Sequence, residues 1–320
     1  MSRDTTKIPG VEEMAIFTSR HDLQKQADPT PAIQTQAFKN RVVIITGGSA
    51  GIGGACALLH ARTGAQLVLI GRDAAKLEAK RAEIVGEVPS ARVELVPGDM
   101  ADAAVPERAV QTAREAFGRV DIVIANAGRV NSPIHRIGEG SAQDWRDSIS
   151  MNVFGTYGII HAALPELEKT GGQVVFTSSS AAHMRWNVSS DYTLSKHVLN
   201  RMIELLSYEY PALKFYAVQP GVIDTETCRN FQNAGDMHFP MVDKAEHVAA
   251  LYVWLTSRKA GFLSGRFIDA TWDLDEVLAA KEDIERDNLL VTKLAGPAPR
   301  SGQPESRKQS FVSRLVHWFQ

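Results

Sequence analysis

RVVIITGGSAGIG, residues 41–53, joins an apolar β-branched run directly to a cluster of glycines. Val42–Ile45 suits a strand covered on both faces, because buried parallel strands read as continuous apolar runs and not as alternation. Gly47, Gly48, Gly51 and Gly53 let the backbone turn sharply and bring its N–H groups close to a ligand. The alanine-rich stretch that follows predicts a helix over 52–63, whose N-terminus carries partial positive charge. Glycines alone would read as a tight turn. Strand, glycines and helix in that order predict a cradle for the pyrophosphate of a dinucleotide, built on Gly47, Ser49, Gly51, Ile52 and Gly53.

Outward from this segment the same rhythm repeats. Short β-branched runs predict strands near 41–46, 66–71, 92–97, 121–125, 173–178 and 214–219. Ala-, Glu- and Arg-rich stretches predict helices near 52–63, 73–85, 103–117, 141–168, 190–210 and 243–257, with Pro165 ending or kinking the fourth. Strand alternating with helix implies an α/β, Rossmann-type, doubly wound parallel sheet in three α/β/α layers, formed by a single domain over 41–275. Residues 1–40 carry Pro9, Pro29 and Pro31 among polar residues without a period, and read as an N-terminal arm outside the core. Residues 276–320 read as a helical extension and tail, with a Pro-, Gly- and Ser-rich linker over 296–305.

Of the 320 residues, 44% are hydrophobic and 22% charged, with a net charge of −2. No basic field is present to draw nucleic acid or anionic lipid, so the expected partner is a small molecule. Cys56 and Cys228, far apart in sequence, imply no disulfide framework and suit a reducing compartment. The opening MSRDTTKIPGVEEM mixes both charge signs and lacks the cationic start and apolar stretch of a secretory signal, so a cytoplasmic location is expected. The apolar runs are only a few residues long, far short of the roughly 20 of a membrane span. No metal site is expected.

The second predicted strand ends at Arg72 and Asp73, where the adenosine ribose of a dinucleotide should lie. A guanidinium binds a 2′-phosphate bidentately, whereas a carboxylate accepts from a 2′-hydroxyl and repels the phosphate. Arg72 therefore favours NADP(H). Asp73 would favour NAD(H) if it reached the ribose, and reads otherwise as the N-cap of the next helix. Asp99 is a candidate for the adenine amino group or, equally, a cap for the helix near 103. Tyr192 and Lys196 in YTLSK are four apart and share a helix face. A nearby ammonium favours phenolate, which makes the tyrosine proton easier to move at neutral pH. On a solvated helix such a pair would mean nothing by itself.

TGGSAGIG, Asn126-Ala127-Gly128, Asn152, a serine ahead of YTLSK, and Pro220-Gly221 together resemble the short-chain dehydrogenase/reductase family over residues 41 to about 257. The spacing of Thr46, Gly47, Gly51 and Gly53 is similar to the classical branch; Ala50 stands where the extended branch would want glycine. The resemblance implies Tyr192 as general acid/base, Lys196 as its electrostatic partner and ribose ligand, and Asn152 as anchor of a proton-relaying water. The serine thirteen residues before the tyrosine is Ser179, implied to bond the reacting oxygen, with Ser180 as the alternative. Thr46, Asn126, Ala127, Gly128, Pro220, Gly221 and Thr225 are implied to line or support the cofactor site, Thr225 at the nicotinamide carboxamide. A non-catalytic dinucleotide sensor would keep the fold without this set.

Near the last strand the family often shows a glycine-rich end, but this chain reads Ile268-Asp269-Ala270-Thr271-Trp272-Asp273, which resembles fungal members associated with secondary metabolism. LDEVLAAKEDIERDNLL carries Leu274, Val277, Leu278, Ile284 and Leu289 at helical spacing, and is expected to pack on the core or on a second subunit of a homodimer or homotetramer. The final RKQSFVSRLVHWFQ, with Phe311, Leu315, Trp318 and Phe319, reads as a segment folded onto a groove or partner in preference to a membrane-surface helix. Residues 222–242 occupy the family's substrate lid; Phe231, Met237, Phe239 and Met241, with Met184 and Trp186, imply a fairly apolar ketone, aldehyde or secondary alcohol as substrate.

Overall fold

The computed structural model describes residues 10–130, 136–185, 189–235 and 240–294. Its sheet comprises β1 Val42–Thr46, β2 Gln66–Gly71, β3 Val93–Pro97, β4 Ile122–Ala125, β5 Gln173–Thr177, β6 Lys214–Gln219 and β7 Arg266–Asp269. All neighbours pair parallel, in the order β3-β2-β1-β4-β5-β6-β7. The order reverses between β1 and β4, and the crevice beyond the carboxyl ends of those strands is where an open sheet of this kind places a ligand.

The helices in chain order are α1 Thr30–Gln34, α2 Gly51–Arg62, α3 Ala74–Glu87, α4 Ala104–Phe117, α5 Ala142–Ile149, α6 Gly155–Thr170, α7 Ser190–Glu209, α8 Glu226–Gly235, α9 Ala245–Trp254, α10 Leu274–Ala279 and α11 Lys281–Arg286. Alternate residues of each strand serve opposite faces. Val43, Ile45, Leu67 and Leu69 pack with Cys56 and Ala57 of α2, Leu77 of α3 and Val253 of α9. Val42, Ile44, Val68 and Ile70 pack with Ala109 of α4, Ile159 of α6 and Ile203 of α7. The central strands are buried on both sides, which is why their sequences show no polar alternation.

Three sequence expectations change. The helix expected over 141–168 is two helices joined by a π turn at Ser150–Phe154, and α6 runs through Pro165 to Thr170, where Gly171 closes it at φ 59°. The arm expected outside the core places Phe38 and Ala27 inside it, with Phe38 edge-on to His60. Arg266–Asp269 forms a seventh strand absent from the six predicted ones. The amphipathic stretch after β7 turns to its own chain, burying Leu274, Val277 and Ile284, while Leu278 and Leu289 stay exposed. Residues 295–320, with the whole terminal segment from Arg307, lie outside the described residues.

Candidate active site

The turn after β1 holds Gly47 at φ 66° and Gly51 at φ 53°, conformations that a side chain would strain. A Cβ on Gly53 would sit 2.2 Å from the Gly47 carbonyl oxygen, so that glycine is a packing requirement of the turn and not a wall of the cleft. Thr46 is buried, and its hydroxyl accepts from the N–H groups of Asn126 (3.0 Å) and Ala127 (2.9 Å). It ties the ends of β1 and β4 together at the switch point. Asn126 continues the tie through its amide, donating to Thr46 O at 3.2 Å and accepting from Thr177 Oγ1 at 3.3 Å. The first turn of α2 has neither an acidic residue nor a capping side chain, so its N–H groups suit an external anion.

A cleft of about 1250 Å³ runs from this turn across the sheet's carboxyl edge. Its walls bring together Gly47, Ser49, Gly51, Ile52, Arg72, Asn126, Ala127, Gly128, Ser179, Tyr192, Lys196, Pro220, Gly221 and Thr225. Thr225 lies against the glycine turn after β1, 3.2 Å from where a Cβ on Gly51 would project. Asp73 caps α3 by accepting from Lys76 N at 3.0 Å. Asp99 accepts from Ala101 N at 2.9 Å beside the cleft, whose wall there is Gly98 and Met100.

At the inner end, α7 presents Tyr192 and Lys196 one turn apart. Lys196 is buried; its ammonium donates to Thr177 O at 2.7 Å and lies over the rings of Phe176 (4.7 Å) and Tyr192 (5.5 Å). Burial pushes Lys196 down to about 7. Burial also raises the Tyr192 phenol above its ordinary value, with a hydrogen bond from Ser179 pulling the other way and Cys228 adding to the rise. Desolvation, and not the mutual attraction expected from spacing alone, dominates both groups. Of the three adjacent serines, Ser178 is occupied: it donates to Asn200 Oδ1 at 2.6 Å. Ser180 lends its N–H to Gln219 Oε1 at 3.1 Å, and Ser179, which accepts from Ala181 N at 3.2 Å, is the one whose side chain acts on the tyrosine.

Asn152, in the π turn, stands behind the wall. Its amide accepts from Arg129 N (2.8 Å) and donates to Arg129 O (3.0 Å) and Ser195 Oγ (3.1 Å), while Ser195 donates to Tyr192 O at 2.8 Å. Gly128 lies beside both groups: a Cβ there would be in ordinary contact, 3.4 Å from Asn152 Oδ1 and 3.5 Å from Lys196 Nζ. Ser195 and Asn200 went unpredicted as site residues. Asn200, one turn beyond Lys196, was the more accessible of the two, because the same helical spacing that pairs Tyr192 with Lys196 extends to it. Phe231 and Met184 line the cleft; Met241 does not, and Trp186, Met237 and Phe239 lie outside the described residues.

A switch-point cleft with a glycine turn at one end and, at the other, Tyr192 on its wall beside the buried Lys196 defines a dinucleotide-binding oxidoreductase. Residues 41–235 match the short chain dehydrogenase family, and the chain belongs to it, in the classical branch. It is 33% identical over 276 residues to the short chain dehydrogenase mpl6 of Monascus purpureus, covering 83% of this chain and 94% of that protein. It is 32% identical over 290 residues to the short chain dehydrogenase andI of Emericella variicolor, covering 88% and 99%. The alcohol dehydrogenase of the archaeon Thermococcus sibiricus, solved with 5-hydroxy-NADP, superposes with a TM-score of 0.62 at 27% identity, covering 72% of this chain and 95% of that one. The family's cofactor is a nicotinamide dinucleotide.

Proposed function

We propose that this chain is an NADP(H)-dependent oxidoreductase that interconverts a ketone or aldehyde and the corresponding alcohol on a fairly apolar small molecule. The observation that carries this reading is the meeting of Ser179, Tyr192 and Lys196 at one end of a cleft that reaches Arg72 at the other. The cofactor, held at Gly47, Ser49, Gly51 and Ile52, supplies or accepts the hydride. Tyr192, protonated at neutral pH and pushed further above its ordinary value by desolvation, gives its proton to the carbonyl oxygen in reduction and takes it back in oxidation. Ser179 bonds the same oxygen. Lys196 holds the ribose and, once charged, steadies the phenolate. Asn152 fixes the start of α7 through Ser195 and anchors the water that returns the proton.

Arg72 supports NADP(H); Asp73, the carboxylate that would favour a free 2′-hydroxyl, also lines the cleft but gives Oδ1 to the cap of α3. The Thermococcus sibiricus relative, solved with an NADP analogue, supports the same choice. Asp99 and Thr225 complete the reading, at the adenine and the nicotinamide carboxamide. Phe231 and Met184 support an apolar substrate, of the kind handled in fungal secondary metabolism. Leu194, Val198, Leu205 and Tyr208 leave an exposed apolar stripe along α7, which supports a homodimer or homotetramer. The two unpaired cysteines support a cytoplasmic location.

The test is binding and turnover together. Arg72→Ala is expected to weaken NADPH by about tenfold or more and NADH by less than about twofold, the loss of one charge-assisted phosphate contact. Equal losses for both cofactors would defeat the assignment. In a screen of ketones and alcohols, Tyr192→Phe is expected to lower turnover at least about a hundredfold with NADPH binding retained; full activity in that variant would defeat the mechanism. A wild-type protein that binds cofactor and turns over nothing would instead be a sensor.

A further inference from the structure

Residues 10–28 carry no catalytic group, yet they contact two segments that line the cleft, the loop after Ser180 and the Pro220–Thr225 turn, and also the end of β7. Gly10 lies so close to the loop after Ser180 that a Cβ there would be 2.2 Å from His183 O, and Glu13 forms an ion pair with Arg185 beyond it. Around the end of β7, Trp272 Nε1 donates to Met14 O at 3.1 Å, Trp272 meets the Phe17 ring edge-on at 5.2 Å, and Asp273 N donates to Thr18 O at 2.8 Å. The third contact reaches the cofactor side. His21 Nδ1 lies 2.7 Å from Asp243 Oδ1, and Asp243 Oδ2 accepts from Val222 N at 2.6 Å.

These contacts differ in weight. Glu13 and Arg185 are both more than half exposed, and an ion pair of that kind contributes little. Asp243 has a side chain only 9% exposed, and the turn wraps so tightly round its carboxylate that a Cβ on Gly221 would lie 2.3 Å from Oδ2. Ile223 pairs with Asp243 in a parallel bridge, closing the base of the segment that carries Thr225 and α8 over the phosphate turn. A carboxylate held at both oxygens cannot rotate; freed at one, it can turn away from Val222. The imidazole donates through Nδ1–H both in its protonated form and in the neutral tautomer that carries the hydrogen on Nδ1.

We propose that His21 is a positioning residue: by fixing the Asp243 carboxylate that holds Val222, the N-terminal segment, anchored at Trp272, keeps the Pro220–Thr225 turn and α8 closed over the cofactor cleft.

Trypsin cleavage after Arg229, on α8, reads the closure directly in the full-length protein without cofactor. His21→Ala is expected to speed that cleavage about tenfold, the increase in local opening that follows loss of one hydrogen bond to a charged group, with the melting temperature nearly unchanged. His21→Gln, whose amide can donate to the same oxygen, is expected to restore the wild-type rate. Arg20→Ala removes a neighbouring contact to Asp273 that does not reach the turn, and is expected to leave the rate alone. An unchanged rate in His21→Ala, failure of glutamine to rescue, or equal acceleration by Arg20→Ala would each overturn the proposal. NADPH titration of the same variants separates this from the cofactor reading, on which only the expected threefold or greater loss of NADPH affinity in His21→Ala rests. If wild-type protein ignores NADPH, that reading fails while the cleavage rates still decide the role of His21.

Discussion

Replacing Lys196 with methionine is expected to stabilise the cofactor-free protein while abolishing turnover. Lys196 is 4% exposed, and its hydrogen bond to Thr177 O does not make up for the water its ammonium has lost, so burial lowers it from 10.5 to about 7. Between those two values the unfolded chain holds a proton that the folded chain has released, so stability rises with pH across this window and is lowest, and flat, below it. Each pH unit that separates the two values is worth about 1.36 kcal/mol, which makes the cost to the folded state about 5 kcal/mol in acid, about 4 at pH 7 and about 2 at pH 9. Methionine fills nearly the same volume without the charge, but leaves the Thr177 carbonyl unpaired at a cost of about 1–2 kcal/mol. The variant should therefore exceed wild type by about 2–3 kcal/mol at pH 7, a difference that closes to near zero by pH 9. Urea denaturation followed by tryptophan fluorescence at pH 6, 7, 8 and 9 measures this. A variant less stable than wild type at pH 7, or a difference that ignores pH, would refute the reasoning.

Two further outcomes follow from the same site. If the charged ammonium is the form that holds the ribose, NADPH binding raises the Lys196 pKa from about 7, so affinity should weaken as pH rises above that value, approaching tenfold per pH unit in its steepest part; isothermal titration in buffers of differing ionisation enthalpy should show proton uptake, and pH-independent affinity would count against the role. Thr46→Val keeps the shape of the side chain but strands the Asn126 and Ala127 N–H groups that its hydroxyl accepts, for a loss of about 2–4 kcal/mol by chemical denaturation, together with weaker NADPH binding.

What could be read from sequence follows from how each element is buried. β1 and β5 are covered on both faces, so VVIIT and QVVFT announce themselves. β7 is RFID, four residues at the sheet's edge with Arg266 and Asp269 half-buried, and offers neither an apolar run nor an alternation long enough to count. The π turn at SMNVF has no composition of its own; it widens one turn of an otherwise ordinary helical pattern, and only the bonds of Asn152 to Arg129 and Ser195 show why. The N-terminal segment was illegible for another reason: its contacts are single side chains reaching partners more than 200 residues away, as His21 does to Asp243 and Gln24 to Trp272 O, and contacts of that kind leave no period. At the site, local spacing gave Tyr192 with Lys196, but the Thr46 hydroxyl that joins two strand ends was legible only by resemblance.

The spacing of Tyr192 and Lys196, weak by itself, took its chemical meaning from the family resemblance, and the structure changes that meaning. Four-residue spacing suggests an ammonium already lowering a phenol's pKa. In the folded chain, burial acts on each group separately, raising the phenol and bringing the lysine down to about 7, so neither charged form is favoured by the protein alone. On the proposed reading, a phenol that stays protonated is the form needed to donate to a carbonyl, and a lysine poised near neutrality is expected to gain its charge when a ribose oxygen joins Thr177 O as its partner. In that reading the acid is ready before binding, whereas the charge that stabilises its conjugate base is expected to arrive with the cofactor. Proton transfer without a bound dinucleotide is then expected to be disfavoured by the same desolvation that makes Lys196 costly to fold, which would link the stability penalty and the chemistry to a single buried nitrogen.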